Sequence, residues 1–349
     1  MKMEIKNCVC FDDVLLVPQY SNIKSRKNID ISSKLSDLKF SLPIIASPMD
    51  TITEWEMSTS ISKLGGLGII HRYMSIEDQR REVIKSKSFG GIQAGAAIGV
   101  TGDYVERAQA LSEAGAKIIC IDVAHGHHIL TKHALEKLKT MFGDDVHVMA
   151  GNVATMKAFD QLVEWGADSI RVGVGGGSIC STRIQTGHGV PTLQSILNCS
   201  ESKYRYGKYS NHIPIIADGG IRTPGDIVKA LAAGADFVML GSMLSGTDET
   251  PGEKFVDDNG EERKYYRGMA SVEAQYKRGR RISSVEGIAT SVKLKGSLEE
   301  VLENIERGIR SGLSYAGANS IFELQLKAEF IRQSGLGAIE SSTHIINTK

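Results

Sequence analysis

The sequence predicts an α/β chain closed into a (β/α)8 barrel, and three observations carry that expectation. Eight short apolar runs recur along the chain, each continuous rather than alternating, as strands buried on both faces should be. Three linkers end alike: LSEAGAKII, LVEWGADSI and LAAGADFVM each stop a helical pattern at a glycine, Gly115, Gly166 or Gly234, before Ala and a new strand. Glycine takes the left-handed cap that turns a helix back toward a sheet. Finally, chemically unusual polar residues gather where the strands end, the face at which a TIM barrel keeps its chemistry. An open, doubly wound sheet is the alternative architecture at this stage.

In chain order the strands are expected at 43–47, 67–71, 94–99, 117–123, 147–153, 169–174, 213–219 and 237–242. SKLGGLGII, stopped near Gly65, is a looser copy of the helix-glycine-strand unit. Ser47, Met49 and Asp50 close the first strand, His71 the second, Asp122 and His125 the fourth, and Asn152 the fifth. Asp218, Gly219 and Gly220 follow the seventh; Gly241 and Ser242 follow the eighth. Loops after strands seven and eight, with a helix beginning near Pro224, suit a phosphate, although each alone reads equally as a tight turn.

The sixth strand leads into RVGVGGGSICSTRIQTGHGVPT, residues 171–192. Glycines at 173, 175, 176, 177 and 187 let the backbone approach a ligand, and they bracket Cys180 between Ser178, Ser181 and Thr182. A thiolate is a strong nucleophile whose pKa falls near positive charge or converging amides, which Arg183 and the loop can supply. The bland reading of Cys180 is a small buried hydrophobe.

Lysine plus arginine equals aspartate plus glutamate at 41 each, so no broad basic field is available for nucleic acid or an anionic membrane. Five irregularly spaced cysteines argue for reduced thiols in a cytoplasmic setting. No apolar run approaches the ~20 residues of a membrane span, and MKMEIKNCVC lacks a secretory apolar core. Beyond the barrel, DDNGEER at 257–263 reads as a hairpin tip, KRGRR at 277–281 as a solvated basic face, and 297–311 as a final helix. The expected organisation is one barrel domain over 1–349, with a flap at about 250–296 over its mouth and a helix and tail at 297–349.

With these stretches in view the chain resembles the IMP dehydrogenase and GMP reductase family along nearly its whole length. FDDVLLVPQYS, ASPMDTITE, GGLGIIHRYMS, CIDVAHGH, AGNVAT, GSICSTR with GHGVP, IADGGIRTPGDIVKALAAGADFVMLGS, YRGMAS and ESSTHI carry the resemblance in order and spacing. It implies a barrel, usually tetrameric, that binds a purine nucleoside monophosphate. Cys180 resembles the nucleophile that attacks purine C2, and Thr182 and Glu286 resemble the groups that move protons. Ser178, Asp218, Gly219, Gly220, Gly241, Ser242 and Tyr266 resemble ribose-phosphate contacts, with Ser47, Met49, Gly268 and Met269 around the base. Ser25, Arg26, Arg72, Asp122, Val123, Ala124 and Asn152 resemble the cofactor contacts, and the carbonyls of Gly175, Gly177 and Cys180 a site for a monovalent cation, potassium.

Three observations favour the family's reductive activity, in which NADPH and GMP give IMP, ammonia and NADP. Val83 runs to Ala94 with no room for an inserted pair of regulatory modules, and Ser25-Arg26 resembles the reductase opening. The stretch GMASVEAQYKRGRRISSVE, 268–286, holds no Arg-Tyr pair of the kind the resemblance assigns to hydrolysis of a covalent intermediate. Glu286 is then expected to be a general acid whose pKa the closed site raises, with Ser283 or Ser284 reading the 2-amino group. DVAHGH and ESSTHI are closer to dehydrogenases, so an insert-free IMP dehydrogenase is the alternative, using one of Arg278, Arg280 and Arg281 to activate water. A nucleotide-binding protein without turnover is the third reading, against which intact Cys180, Thr182 and Glu286 weigh.

Overall fold

A computed structural model describes residues 5–203, 212–277 and 285–341. Arg278, Arg280, Arg281, Ser283, Ser284 and the end of ESSTHI lie outside the described residues. Two short antiparallel features precede the barrel: β1 (Val14–Leu16), and the hairpin of β2 (Ser33–Leu35) with β3 (Leu38–Phe40). Eight parallel strands then follow: β4 (Ile44–Ala46), β5 (Leu67–Ile70), β6 (Gly95–Ile98), β7 (Ile118–Asp122), β8 (His147–Val153), β9 (Ser169–Val172), β10 (Ile215–Asp218) and β11 (Phe237–Leu240). They pair in sequence order, and β11 closes on β4 through Val238↔Ile44, Met239↔Ile45 and Leu240↔Ala46. The closed barrel, not the open sheet, is therefore the architecture; β8 fills its expected run of 147–153, and the other seven strands are somewhat shorter than theirs.

Strand periodicity explains why those runs carry no polar alternation. Ile45, Ile69, Cys120, Met149, Ile216 and Met239 fill the barrel interior, whereas their neighbours Ile44, Ile70, Ile121, Val148, Ala217 and Leu240 pack outward beneath the helices. Leu35 and Phe40 join the inner cluster from the β2–β3 hairpin, and Phe40 meets Phe237 edge to face at 5.7 Å. Because Phe237 opens its strand, the hairpin plugs the amino-terminal end and leaves the opposite end open.

Helices α1 (Trp55–Lys63), α2 (Ile76–Ser88), α3 (Tyr104–Glu113), α4 (Ile129–Phe142) and α5 (Met156–Glu164) return the chain through the first half. Ser75 and Thr155 cap α2 and α5 by accepting from Asp78 and Ala158 amides. Gly115, Gly166 and Gly234 end their helices at φ +98, +100 and +116, the left-handed conformation the linkers predict. A short α6 (Thr182–Thr186), α7 (Thr192–Lys203) and α8 (Pro224–Ala232) follow, with Thr223 capping α8 as expected from its position before Pro224.

Past the barrel, β12 (Phe255–Val256), β13 (Glu262–Arg267) and β14 (Ala289–Lys293) form an antiparallel sheet, its first turn carrying Gly260 at φ +81. A short α9 (Val272–Lys277) lies between β13 and β14. The final helix does not stop at 311: α10 (Leu298–Tyr315) continues because Leu302, Ile305, Ile309 and Leu313 keep a buried stripe at helical spacing. It is followed by α11 (Ile321–Lys327), β15 (Phe330–Arg332) and α12 (Gly335–Glu340). β15 pairs antiparallel with β1, a tie between chain ends that three-residue strands are too short to announce. Among the described residues no helix is long and apolar enough to cross a membrane, and all five cysteines are free thiols.

Candidate active site

A cavity of about 470 Å³ opens at the carboxyl ends of the barrel strands, roofed by the segment that follows β13. The sixth-strand loop enters it through Gly173, at φ +145, where an added Cβ would stand 1.9 Å from the Asp218 carbonyl. Only glycine brings the two strand ends that close. The Cys180 amide turns back to Gly177 O at 3.1 Å, and the loop is then stitched to the flap: Ser181 N donates to Glu286 O at 3.0 Å and Ile288 N to Ile179 O at 3.1 Å. Gly268 and Gly287 back onto each other at this seam, where a Cβ on Gly268 would meet Gly287 Cα at 3.1 Å.

That stitching assembles a linear relay. The Cys180 thiol donates to Thr182 Oγ1 at 3.2 Å, and the Thr182 hydroxyl donates to Glu286 Oε2 at 2.7 Å. All three side chains line the cavity. Arg183 is not part of it: its guanidinium donates to Val190 O at 2.8 Å. The other interior thiol is a useful contrast, since burial pushes Cys120 up to about 11 and keeps it protonated.

Beneath the relay lies a charged lattice that sequence reading missed. Arg171 donates to Asp122 Oδ1 at 2.7 Å and to Asp218 Oδ2 at 2.8 Å, and Asn152 Nδ2 reaches the same Asp218 oxygen at 2.8 Å. Burial disfavours the Arg171 charge, yet Cys120, Asp218 and Asp122 hold its pKa well above the ordinary value. A single arginine inside the buried run Ser169–Val172 was the available signal, because such a charge needs carboxylate partners. Arg72 joins the lattice from the loop after β5, donating to Asp122 O at 3.2 Å, with its guanidinium 4.9 Å from the Tyr73 ring centroid. Its Nε is buried without a hydrogen bond, though Asp122 Oδ2 stands 3.8 Å away. Val123 and Ala124 continue this strip along the cavity wall.

On the opposite wall, Gly219 and Gly220 take φ +90 and +76, and Gly219 backs onto the Gly177 amide. Gly241 lets three side chains converge: its missing Cβ would lie 3.1 Å from Tyr266 Oη, 3.2 Å from Ser47 Oγ and 3.3 Å from Met49 Sδ. Ser178 Oγ is 3.4 Å from Tyr266 Oη, whose phenol burial pushes up. Ser47 Oγ is buried without a protein partner, an orphan hydroxyl that a bound ligand would satisfy. Ser242, Gly268 and Met269 complete this wall, and the Met269 sulfur accepts from Asp50 N at 3.4 Å. Tyr73 and Gln275 also line the cavity, the latter donating to Ala270 O at 3.1 Å; neither was picked out from the sequence.

Several expected residues fall elsewhere. Ser25 caps the turn Arg26–Asn28, and Arg26 donates to Ser314 Oγ at 3.1 Å beside the Tyr315 ring, so neither lines the cavity of its own chain. His71 is buried against Glu54 at 3.0 Å and accepts from Tyr73 N, a structural role. Asp50 pairs with Arg267, its carboxylate 3.2 Å from the Arg267 Nε, and so anchors β13 to the barrel rim. His125 stands outside the lining, its pKa lowered by burial and by His127, His128 and His188.

The site is thus that of a barrel enzyme scaffold, with a cysteine, hydroxyl and carboxylate relay at the carboxyl face of a closed parallel barrel. The model of the IMP dehydrogenase / GMP reductase domain matches residues 8–344, and the chain belongs to that family of nicotinamide-dependent oxidoreductases. It is 40% identical to the inosine-5'-monophosphate dehydrogenase of Cryptosporidium parvum over 388 residues, covering 96% of this chain and 94% of the relative. To the GMP reductase of Leishmania major it is 32% identical over 481 residues, covering 97% and 96%. The crystal structure of GMP reductase C318A from Trypanosoma brucei in complex with guanosine 5'-monophosphate superposes with a TM-score of 0.91 at 31% identity, covering 97% of this chain and 98% of the other.

Proposed function

We propose that the chain is a GMP reductase that uses NADPH to convert GMP into IMP and ammonia through a thioimidate on Cys180. The observation that carries the reading is the direction of the relay: thiol to Thr182 at 3.2 Å, Thr182 to Glu286 at 2.7 Å. Transfer along it leaves a Cys180 thiolate and a protonated Glu286. The sulfur adds at purine C2, and the 2-amino group takes the proton from Glu286 through Thr182 and departs as ammonia. The thiol proton thus balances the leaving group without an outside acid. Bound NADPH would supply the hydride that C2 requires; Cys180 would then leave as the carbon-sulfur bond breaks, releasing IMP and regaining a proton on its sulfur.

The rest of the cavity suits this chemistry. Gly219, Gly220, Gly241 and Ser242 offer backbone amides to the phosphate, Asp218 accepts from ribose hydroxyls, and Ser47 and Met49 lie against the base. The strip of Arg72, Asp122, Val123 and Ala124, with Asn152 beside it, would hold the nicotinamide end, and Arg72 Nε, which makes no hydrogen bond and stands 3.8 Å from Asp122 Oδ2, is a donor with capacity for an acceptor there. Gly177 O spends one lone pair on the Cys180 amide, and with the Gly175 and Cys180 carbonyls it would brace the loop around potassium. The homotetramer that the resemblance implies and the cytoplasmic setting that the cysteine pattern suggests belong to the same proposal.

A second reading, an IMP dehydrogenase, is favoured by the 40% identity to the Cryptosporidium enzyme. Against it stands the absence of an Arg-Tyr pair from 268–286. Nicotinamide absorbance with each nucleotide and cofactor pair tests both: NADPH consumption with GMP supports the proposal, whereas NADH formation with IMP and xanthosine monophosphate as product replaces it with the second reading.

A further inference from the structure

The loop after β11 is a helix-like turn in which Leu244 N and Ser245 N both return to Gly241 O, at 3.0 and 2.9 Å. In such a turn the amides of the next residues, Ser242 and Met243, face away from their carbonyls. Those carbonyls are gripped from behind by one side chain: Lys295 Nζ donates to Ser242 O at 2.7 Å and to Met243 O at 3.0 Å, beside the Ser245 hydroxyl on Ser242 O at 2.8 Å. The Lys295 amide also donates to Gly246 O at 2.9 Å. Lys295 lies two residues beyond β14, whose partner β13 ends beside Tyr266 and whose start follows Glu286. Lys295 is itself exposed, and among the described residues no carboxylate pairs with its ammonium, so these two carbonyls are its protein partners. Lys264 grips the next stretch in the same manner through the carbonyls of Thr247, Asp248 and Thr250, so the flap strands hold the whole loop by its oxygens.

We infer that Lys295 is a positioning residue that couples phosphate binding to flap seating: by holding the Ser242 and Met243 carbonyls it keeps the turn's amide edge aimed at the substrate phosphate. The inference rests on the nucleotide reading of the cavity. Its chemistry is that of an anion drawing the amide edge toward itself while the ammonium, through the Ser242 carbonyl, polarises the peptide group whose other end is the Met243 amide. Because Lys295 follows the strand that carries the flap home, a phosphate seated on the turn also steadies the segment bearing Glu286.

The test is calorimetric titration of the full chain with IMP and with inosine, which differ only in the phosphate. In Lys295→Met the preference for IMP over inosine should shrink by about tenfold, the scale of a hydrogen-bond network to a charged group, while inosine affinity stays unchanged. Lys295→Arg, which keeps a donor and the charge, should restore most of the preference. An unaltered IMP-to-inosine ratio in Lys295→Met overturns the inference and leaves the functional reading standing. An equal loss for both ligands overturns it in favour of a merely structural strut. If the native chain binds neither IMP nor GMP, the functional reading has failed first, and the inference with it.

Discussion

The Thr182 hydroxyl donates to Glu286 Oε2 at 2.7 Å across 104 residues of sequence, and the same oxygen of Thr182 accepts from Cys180. A proton can therefore pass from sulfur to carboxylate without a water molecule. Since the segment that carries Glu286 is bonded to the cysteine loop through backbone pairs, that segment and the Cys180 loop form one unit.

Breaking the relay in the middle should stop turnover but spare ligand binding. Thr182→Val removes the hydroxyl at nearly constant volume, and kcat with GMP should drop about 100-fold or more, the usual scale of positioned proton transfer. Glu286→Gln should match it, and the double variant should be no worse than either alone. Additive losses in steady-state kinetics would show that the two act separately.

The sulfur itself can be trapped. An electrophilic C2-substituted purine nucleotide should add a single mass increment at Cys180 and none in Cys180→Ala, read by mass spectrometry of the intact chain. Labelling at exposed Cys8 instead would remove Cys180 from the chemistry.

Arg171 should be costly to lose. It is nearly fully buried and bonded to two carboxylates, so Arg171→Gln leaves Asp218 with the neutral Asn152 amide and Asp122 with Arg72 alone, 3.8 Å away. Urea unfolding should show a loss of about 3–5 kcal/mol, as for other broken buried pairs. Arg171→Lys should lose less, since it keeps the charge but cannot fork to both partners. A change under about 1 kcal/mol in Arg171→Gln would mean that the lattice carries little.

Far from the cavity, His147 opens β8, buried between Ser36 and Ser169 at 2.8 and 2.7 Å. Burial lowers its pKa from 6.5 to about 4. As the folded value lies below the unfolded one, the unfolded chain takes up the proton first on acidification. The stabilisation is complete above about pH 6.5 and is lost progressively toward pH 4, in total about 3 kcal/mol. In His147→Gln the acid side of the stability profile should flatten by that amount, measured by denaturant midpoints at pH 7 and 4.5.

The chain order of apolar runs and glycine stops was enough to read the barrel, because strand burial and helix capping are local demands that each segment states for itself. The cysteine loop and the two glycine turns at the seventh and eighth strand ends were legible for the same reason: their conformations need glycine wherever the chain puts them. Contacts between distant segments were not. Nothing local in Ser25-Arg26 says that it sits beside α10 rather than at the cavity, and nothing in the apolar residues of β2 and β3 says that they plug the barrel floor.

The sequence by itself determined the eight strands, their glycine-stopped helical returns and the glycine-rich loop that carries Cys180, since all three follow from periodicity and backbone permission within short windows, whereas closure of the barrel over the open sheet waited on the structure. The tertiary structure alone decided that Glu286 meets Thr182, that Arg171 joins Asp122 to Asp218, and that Lys295 holds the turn at Ser242. Each is a pairing of charge or hydrogen-bond donors across many residues, and the partner is chosen by where the closed barrel places it.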